Sequence, residues 1–130
     1  MPALIQALQD KVPGVRETAA RALAGIGPEA QAAAPALVKA LKDKERDVRG
    51  AAVVALGQIG PKAEAAAPAL VMALKDEEQN VRRNSAKALV KIGPEAQAAV
   101  PALVEARRKD DVEAVRKAAD EALQRILAAR

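Results

Sequence analysis

Residues 35–61 read Pro35-Ala-Leu-Val-Lys-Ala-Leu-Lys-Asp43, then Lys-Glu-Arg-Asp-Val48-Arg49-Gly-Ala-Ala-Val-Val-Ala-Leu56-Gly-Gln-Ile59-Gly60-Pro61. Leu37, Val38 and Leu41 fall at helical spacing, and so do Val48, Ala52, Ala55, Leu56 and Ile59. That pattern predicts two amphipathic helices joined by a short polar turn. Gly60 ends the second helix, because glycine accepts a left-handed backbone at C′ at little steric cost. Pro61 then opens the next helix at N1, where its missing N–H loses no bond.

The same unit recurs along the chain. Pro2, Pro35, Pro68 and Pro101 each stand 33 residues after the last. Ile26-Gly27-Pro28, Ile59-Gly60-Pro61 and Ile92-Gly93-Pro94 keep that step. Val-Arg returns at Val15-Arg16, Val48-Arg49, Val81-Arg82 and Val115-Arg116, the last interval being 34, so the fourth unit carries one extra residue. A fixed period of this length means stacked units whose apolar faces cover one another. The predicted fold is all-α, a single α-solenoid over 1–130, with helical-hairpin repeats 2–34, 35–67, 68–100 and 101–130. Such arrays bind along a surface and rarely hold a deep catalytic pocket.

Glu29-Ala-Gln-Ala-Ala-Ala34 is rich in helix formers. It is read as the front half of the next first helix, with Pro35 a kink inside it. The helices are then predicted at 29–42, 45–59, 62–75, 78–92, 95–109 and 112–129, preceded by a short one at 2–9 and its partner at 13–25.

Composition narrows the chemistry. The 130 residues include no Cys, His, Phe, Tyr or Trp. Without Cys there is no disulfide or thiolate chemistry. Without His the usual general base and the commonest metal ligand are missing. Without aromatics there are no base-stacking platforms or aromatic anchors. The net charge is +4. No apolar run approaches the ~20 residues that span a bilayer, and no signal peptide is evident. A soluble protein is expected, cytoplasmic or recombinantly made, with no cofactor, metal, small-molecule substrate or membrane partner.

Asp and Arg stand six apart in every unit: Asp10/Arg16, Asp43/Arg49, Asp76/Arg82 and Asp110/Arg116. The repetition could mark four binding sites. The structural reading is preferred. Asp, at the end of the first helix, bonds N–H groups at the start of the second, and Arg pairs with Asp to fix the turn from unit to unit. Glu77-Glu78 and Asp110-Asp111 sit at turns, where acids favour helix starts, and show no metal-ligand spacing.

A proline in the first helix, Asp eight residues on and then Val-Arg resembles the HEAT repeat. The pattern V-R-x-x-A-A-x-A-L-x-x-I-G is most similar to the short HEAT-like units of phycobilisome lyases, and it covers residues 2–127. The resemblance implies a right-handed solenoid, second helices lining the concave face, and an Asp/Arg ladder. It implies scaffold and binding surface rather than a particular chemistry. Arg107-Arg108 depart from the pattern, as polar terminal caps do. The chain starts on the repeat proline and stops shortly after Ile126, which points to an engineered or redesigned array, or to a trimmed natural one.

Unit-to-unit deviations give the candidate interface. Positions 46, 50, 53, 54 and 57 are assigned to the outer side of the second helix. Gly50 stands where other units have Glu17, Arg83 and Lys117, and Val54 where they have Arg21, Lys87 and Glu121. Val53 replaces Ala20, Ala86 and Asp120, and Asn84 and Val90 also deviate. A mid-helix glycine costs about 1 kcal/mol against alanine. Apolar or small residues in place of charged ones suit a helix–helix contact between chains. Met72, where other units have Gln6, Lys39 and Glu105, is a separate candidate on a first helix.

The function expected from these residues is a non-enzymatic protein-interaction scaffold, engineered and self-associating into a homo-oligomer. The alternative is a natural HEAT-like module that binds another protein on its concave face. An enzyme accessory of the lyase type is disfavoured by the missing His, Cys and aromatics. Nucleic acid is a less favoured partner than protein. Arg82, Arg83, Lys87 and Lys91, with Arg107, Arg108 and Lys109, could at most hold phosphates.

Overall fold

Residues 1–128 of the computed structural model are described, without the side chains of residues 94 and 95. Residues 129 and 130, where the predicted 112–129 helix and the fourth repeat end, lie outside them. The α-helices are α1 Pro2–Ala7, α2 Pro13–Ile26, α3 Ala34–Ala40, α4 Arg46–Ile59, α5 Ala67–Ala73, α6 Gln79–Ile92, α7 Val100–Lys109 and α8 Glu113–Ala128. Three 3₁₀ helices, Gly27–Ala33, Gly60–Ala66 and Pro94–Ala99, join each second helix to the following first helix. The chain is a solenoid of helical hairpins. The second helices α2, α4, α6 and α8 pack one against the next, and each first helix packs on its own second helix.

Each second helix forms because one stripe is apolar. In α4 that stripe includes Val48, Ala52, Ala55, Leu56 and Ile59, all buried. Leu23, Leu56, Leu89 and Leu123 repeat the central position, and each such burial contributes about 1.5–3 kcal/mol. The stack needs neighbours to close this core. Val48, Val81 and Val115 are buried against the unit before them, whereas Val15 of the first unit is 39% exposed.

The segments ahead of the repeat prolines differ from the α-helix expected there. They are 3₁₀ helices, interrupted at Ala30 (φ −89°, ψ 18°) and at Ala63 (φ −103°, ψ 23°). In a 3₁₀ helix side chains at i and i+3 eclipse. Ala30/Ala33, Ala63/Ala66 and Ala96/Ala99 use that spacing to press a narrow row of methyls into the core. Pro35 and Pro68 therefore occupy the first turn of α3 and α5 and kink nothing. A proline in the first turn forfeits no helical hydrogen bond, so the cost of an interior proline does not arise.

The glycines that end α2, α4 and α6 show a second difference. Gly27 and Gly60 have φ 75° and ψ −141°, and Gly93 has φ 97° and ψ −150°. The positive φ is as expected, but ψ lies well outside the left-handed helical region. This conformation is open essentially to glycine alone. It turns the chain directly from the second helix into the 3₁₀ segment.

Candidate protein-binding surface

The Asp/Arg pairs are built across units. Arg16 Nε donates to Asp43 Oδ2 at 2.7 Å and Nη2 to Oδ1 at 3.1 Å. Arg49 grips Asp76 the same way at 2.8 and 3.1 Å, and Arg82 grips Asp110 at 2.8 and 3.2 Å. Within its own unit each Arg reaches the Asp main chain instead. The third guanidinium nitrogen donates to the carbonyl of Asp10, Asp43, Asp76 or Asp110. Each Asp also accepts one N–H two residues on: Val12, Glu45, Glu78 or Val112. The pairing six residues apart is thus through the main chain, and each Arg takes its carboxylate from the unit that follows. Among the described residues Arg116 has no carboxylate partner and Asp10 no guanidinium.

These charges are functionally quiet. Burial pushes the Asp43 carboxyl up, but bonds from Arg16 and the Glu45 N–H, with the charges of Arg16 and Arg49, carry it below the usual range. Asp110 behaves alike. Burial raises it, and Arg82, the Val112 N–H and Asp111 lower it further. The bond to Asp43 in turn holds Arg16 above the ordinary guanidinium value, as the bond to Asp76 does for Arg49. The forks of Arg16, Arg49 and Arg82 each face a carboxylate, so the ladder reads as a structural clamp between units.

A concave surface lies elsewhere. A groove of about 660 Å³ runs over α2, α4 and α6. Gly50, Ala51 and Val54 form its floor, Arg21 and Ala24 one wall, and Asn80, Arg83 and Asn84 the other. Arg46, Asp47, Glu78 and Gln79 close its end at the start of α4 and α6. A Cβ added at Gly50 would meet nothing within 4 Å, so the missing side chain widens the groove. Val54 is 40% exposed beside it.

The candidate residues separate on this geometry. Gly50, Val54 and Asn84 line the groove together. Val53 does not reach it and is fully buried in the core, which corrects its assignment to the outer side. Position 53 points inward between second helices, and Ala20 and Ala86 are buried there too. Position 57 is likewise internal. A Cβ on Gly57 would sit 3.1 Å from both Cα and Cβ of Ala88, so its absence lets α4 and α6 approach closely. Val90 packs against the core. Met72, on α5, is 71% exposed and apart from the groove. The basic run divides as well: Arg82 is spent in the ladder, whereas Arg83 faces the groove. Arg46 lies at the groove, on the outer side to which position 46 was assigned, whereas Asp47 and Asn80 were missed. The signal was present, because 47, 50 and 54 form one helical stripe that extends the deviant positions back to the helix start.

A family model described as HEAT repeats matches residues 1–78 and 34–124. The chain belongs to the HEAT-repeat family. No curated protein matches it. Among solved structures it is similar to a designed armadillo repeat protein in complex with the peptide (KR)4. That match has TM-score 0.82 and 25% identity, and it covers 95% of this chain and 62% of the other. It is also similar to the complex of CpcE and CpcF of phycocyanin lyase from Nostoc sp. PCC7120. There the TM-score is 0.80 with 26% identity, over 98% of this chain and 54% of the other. An engineered protein with TM-score 0.74 and 24% identity, covering 98% and 66%, shares the fold. The HEAT chain thus spans between half and two thirds of these solved chains. Among its described residues no helix is long and apolar enough to cross a membrane, and no cluster of acidic residues could hold a metal ion.

Proposed function

We propose that this HEAT-repeat chain is a non-enzymatic interaction scaffold that holds a segment of another protein in the groove over α2, α4 and α6. The observation that carries the reading is the floor. Gly50 and Val54 replace long charged residues where three successive second helices frame a groove. The armadillo-type neighbour bound to a peptide supports the reading by analogy of fold. Panning a displayed random peptide library on the folded chain, and again on Val54→Glu, tests it. Peptides that bind the chain and lose binding on Val54→Glu support it. Peptides that bind both equally, or no enrichment at all, overturn it.

A second reading is self-association into a homo-oligomer, favoured by the exposure of Val54 and Met72. Light scattering decides it. An oligomer that falls to the 13.5 kDa chain mass on Val54→Glu supports a contact through the groove face, and a monomer throughout removes it. The near-constant period of the repeat and the designed armadillo repeat protein among its structural neighbours support an engineered or redesigned origin.

A further inference from the structure

We propose that an extended acidic segment runs out of the groove along α6, with carboxylates at alternate positions read by Arg83 in the groove and by the exposed Lys87 and Lys91 beyond it, and an apolar side chain set on Val54. This rests on the scaffold reading and names the partner's chemistry. Arg83, Lys87 and Lys91 follow one another by four residues along α6, so they form a single stripe rising about 6 Å per step. Alternate side chains on one side of an extended chain are about 6.6 Å apart. A segment lying along α6 therefore presents every second residue to a cation.

The three cations are also unspent. None takes part in an ion pair among the described residues. Lys91 donates only to the neutral Gln58 Oε1, at 2.9 Å. Arg83 Nε is buried without a hydrogen-bond partner, so a turn of the side chain outward into the groove is what brings it to a carboxylate. A buried donor left unpaired is costly, and a carboxylate answers a guanidinium fork with short charged bonds. Of the cations that line the groove, Arg21 is held by Glu17 at 2.7 Å and Arg46 by Glu78 at 3.3 Å, which leaves Arg83. Asp47, in the first turn of α4, repels an acidic chain from that end and leaves the Arg83 side favoured. The apolar floor and the absence of aromatic stacking platforms suit a protein segment better than a single-stranded nucleic acid.

Fluorescence anisotropy with labelled, end-blocked peptides tests this. The probes are alternating Glu and Val, the same composition with the Glu residues contiguous, and alternating Lys and Val. A thymidine oligonucleotide of equal charge is the fourth. The alternating acidic peptide is expected to bind about tenfold tighter than the contiguous one, and Arg83→Gln to weaken it about tenfold. Arg83→Lys keeps the charge without the fork and falls between. Circular dichroism checks that each variant folds. Equal affinity for the two acidic peptides, indifference to Arg83→Gln, or tighter binding of the oligonucleotide overturns the proposal. If the panned peptides that depend on Val54 lack acidic residues, this inference falls while the scaffold reading stands.

Discussion

The guanidinium of Arg49 closes on the carboxylate of Asp76, 27 residues ahead, while its remaining nitrogen holds the carbonyl of Asp43 behind it. One side chain thus ties its own turn to the next unit. Both side chains are about nine-tenths buried. Removing Asp76 leaves the buried Arg49 fork with only the exposed Glu77, at 3.7 Å, in place of a close buried carboxylate, and breaking a buried pair costs about 3–5 kcal/mol. Asp76→Ala is expected to lower unfolding free energy by about that much. Asp10→Ala, whose carboxylate meets only the Val12 N–H, is expected to lose about 1 kcal/mol. Urea titration of the two variants compares them, and equal losses would refute the inter-unit clamp.

Acid should loosen the stack through the same carboxylates. Asp43 and Asp110 ionise below their ordinary value of 3.8 when folded. Their contribution is then fully present above that value and is lost as pH falls through the lower folded values. The melting temperature is expected to hold from neutrality down to about pH 5 and to drop below about pH 4. Asp43→Asn, less stable at neutral pH, should show a shallower acid slope. An unchanged slope would refute the assignment.

Two glycines in one helix are expected to respond oppositely. Gly50→Ala adds a methyl into open space and removes the glycine penalty, raising stability by about 1 kcal/mol. Gly57→Val drives a branched side chain against Ala88 of α6 and is expected to cost about 1–3 kcal/mol. Thermal melts of the pair measure both signs.

The repeat prolines give a further check. Pro35 sits in the first turn of α3, so Pro35→Ala frees no strained helix. Its effect is confined to the greater freedom of the unfolded chain, a loss of about 0.4–1 kcal/mol. A stabilised Pro35→Ala would mean that the proline does interrupt a continuous helix.

The sequence carried the second helices almost whole. The predicted 45–59 and 78–92 differ by one residue from α4 and α6, because the apolar stripe, the glycine stop and the following proline agree there. The 3₁₀ segments were hidden by their alanines, whose propensity favours an α-helix. Tertiary packing overrode it, and the clue was the three-residue step of Ala30/Ala33, Ala63/Ala66 and Ala96/Ala99. At the groove, deviation between units found Gly50 and Val54 but misplaced Val53. A helical wheel separates 53 from 54 by a single step, and only the neighbouring second helix decides which of the two is covered.

Because each Arg looks forward to the next unit's Asp, a unit brings both halves of a standard connector: a carboxylate for its predecessor and a guanidinium for its successor. Length is therefore a free variable of this architecture. A chain lacking residues 35–67 would let Arg16 meet Asp76 and leave every other joint alike. It is expected to fold as a three-unit stack, and its helical circular dichroism per residue, matched to that of the four-unit chain, is the measure of that modularity.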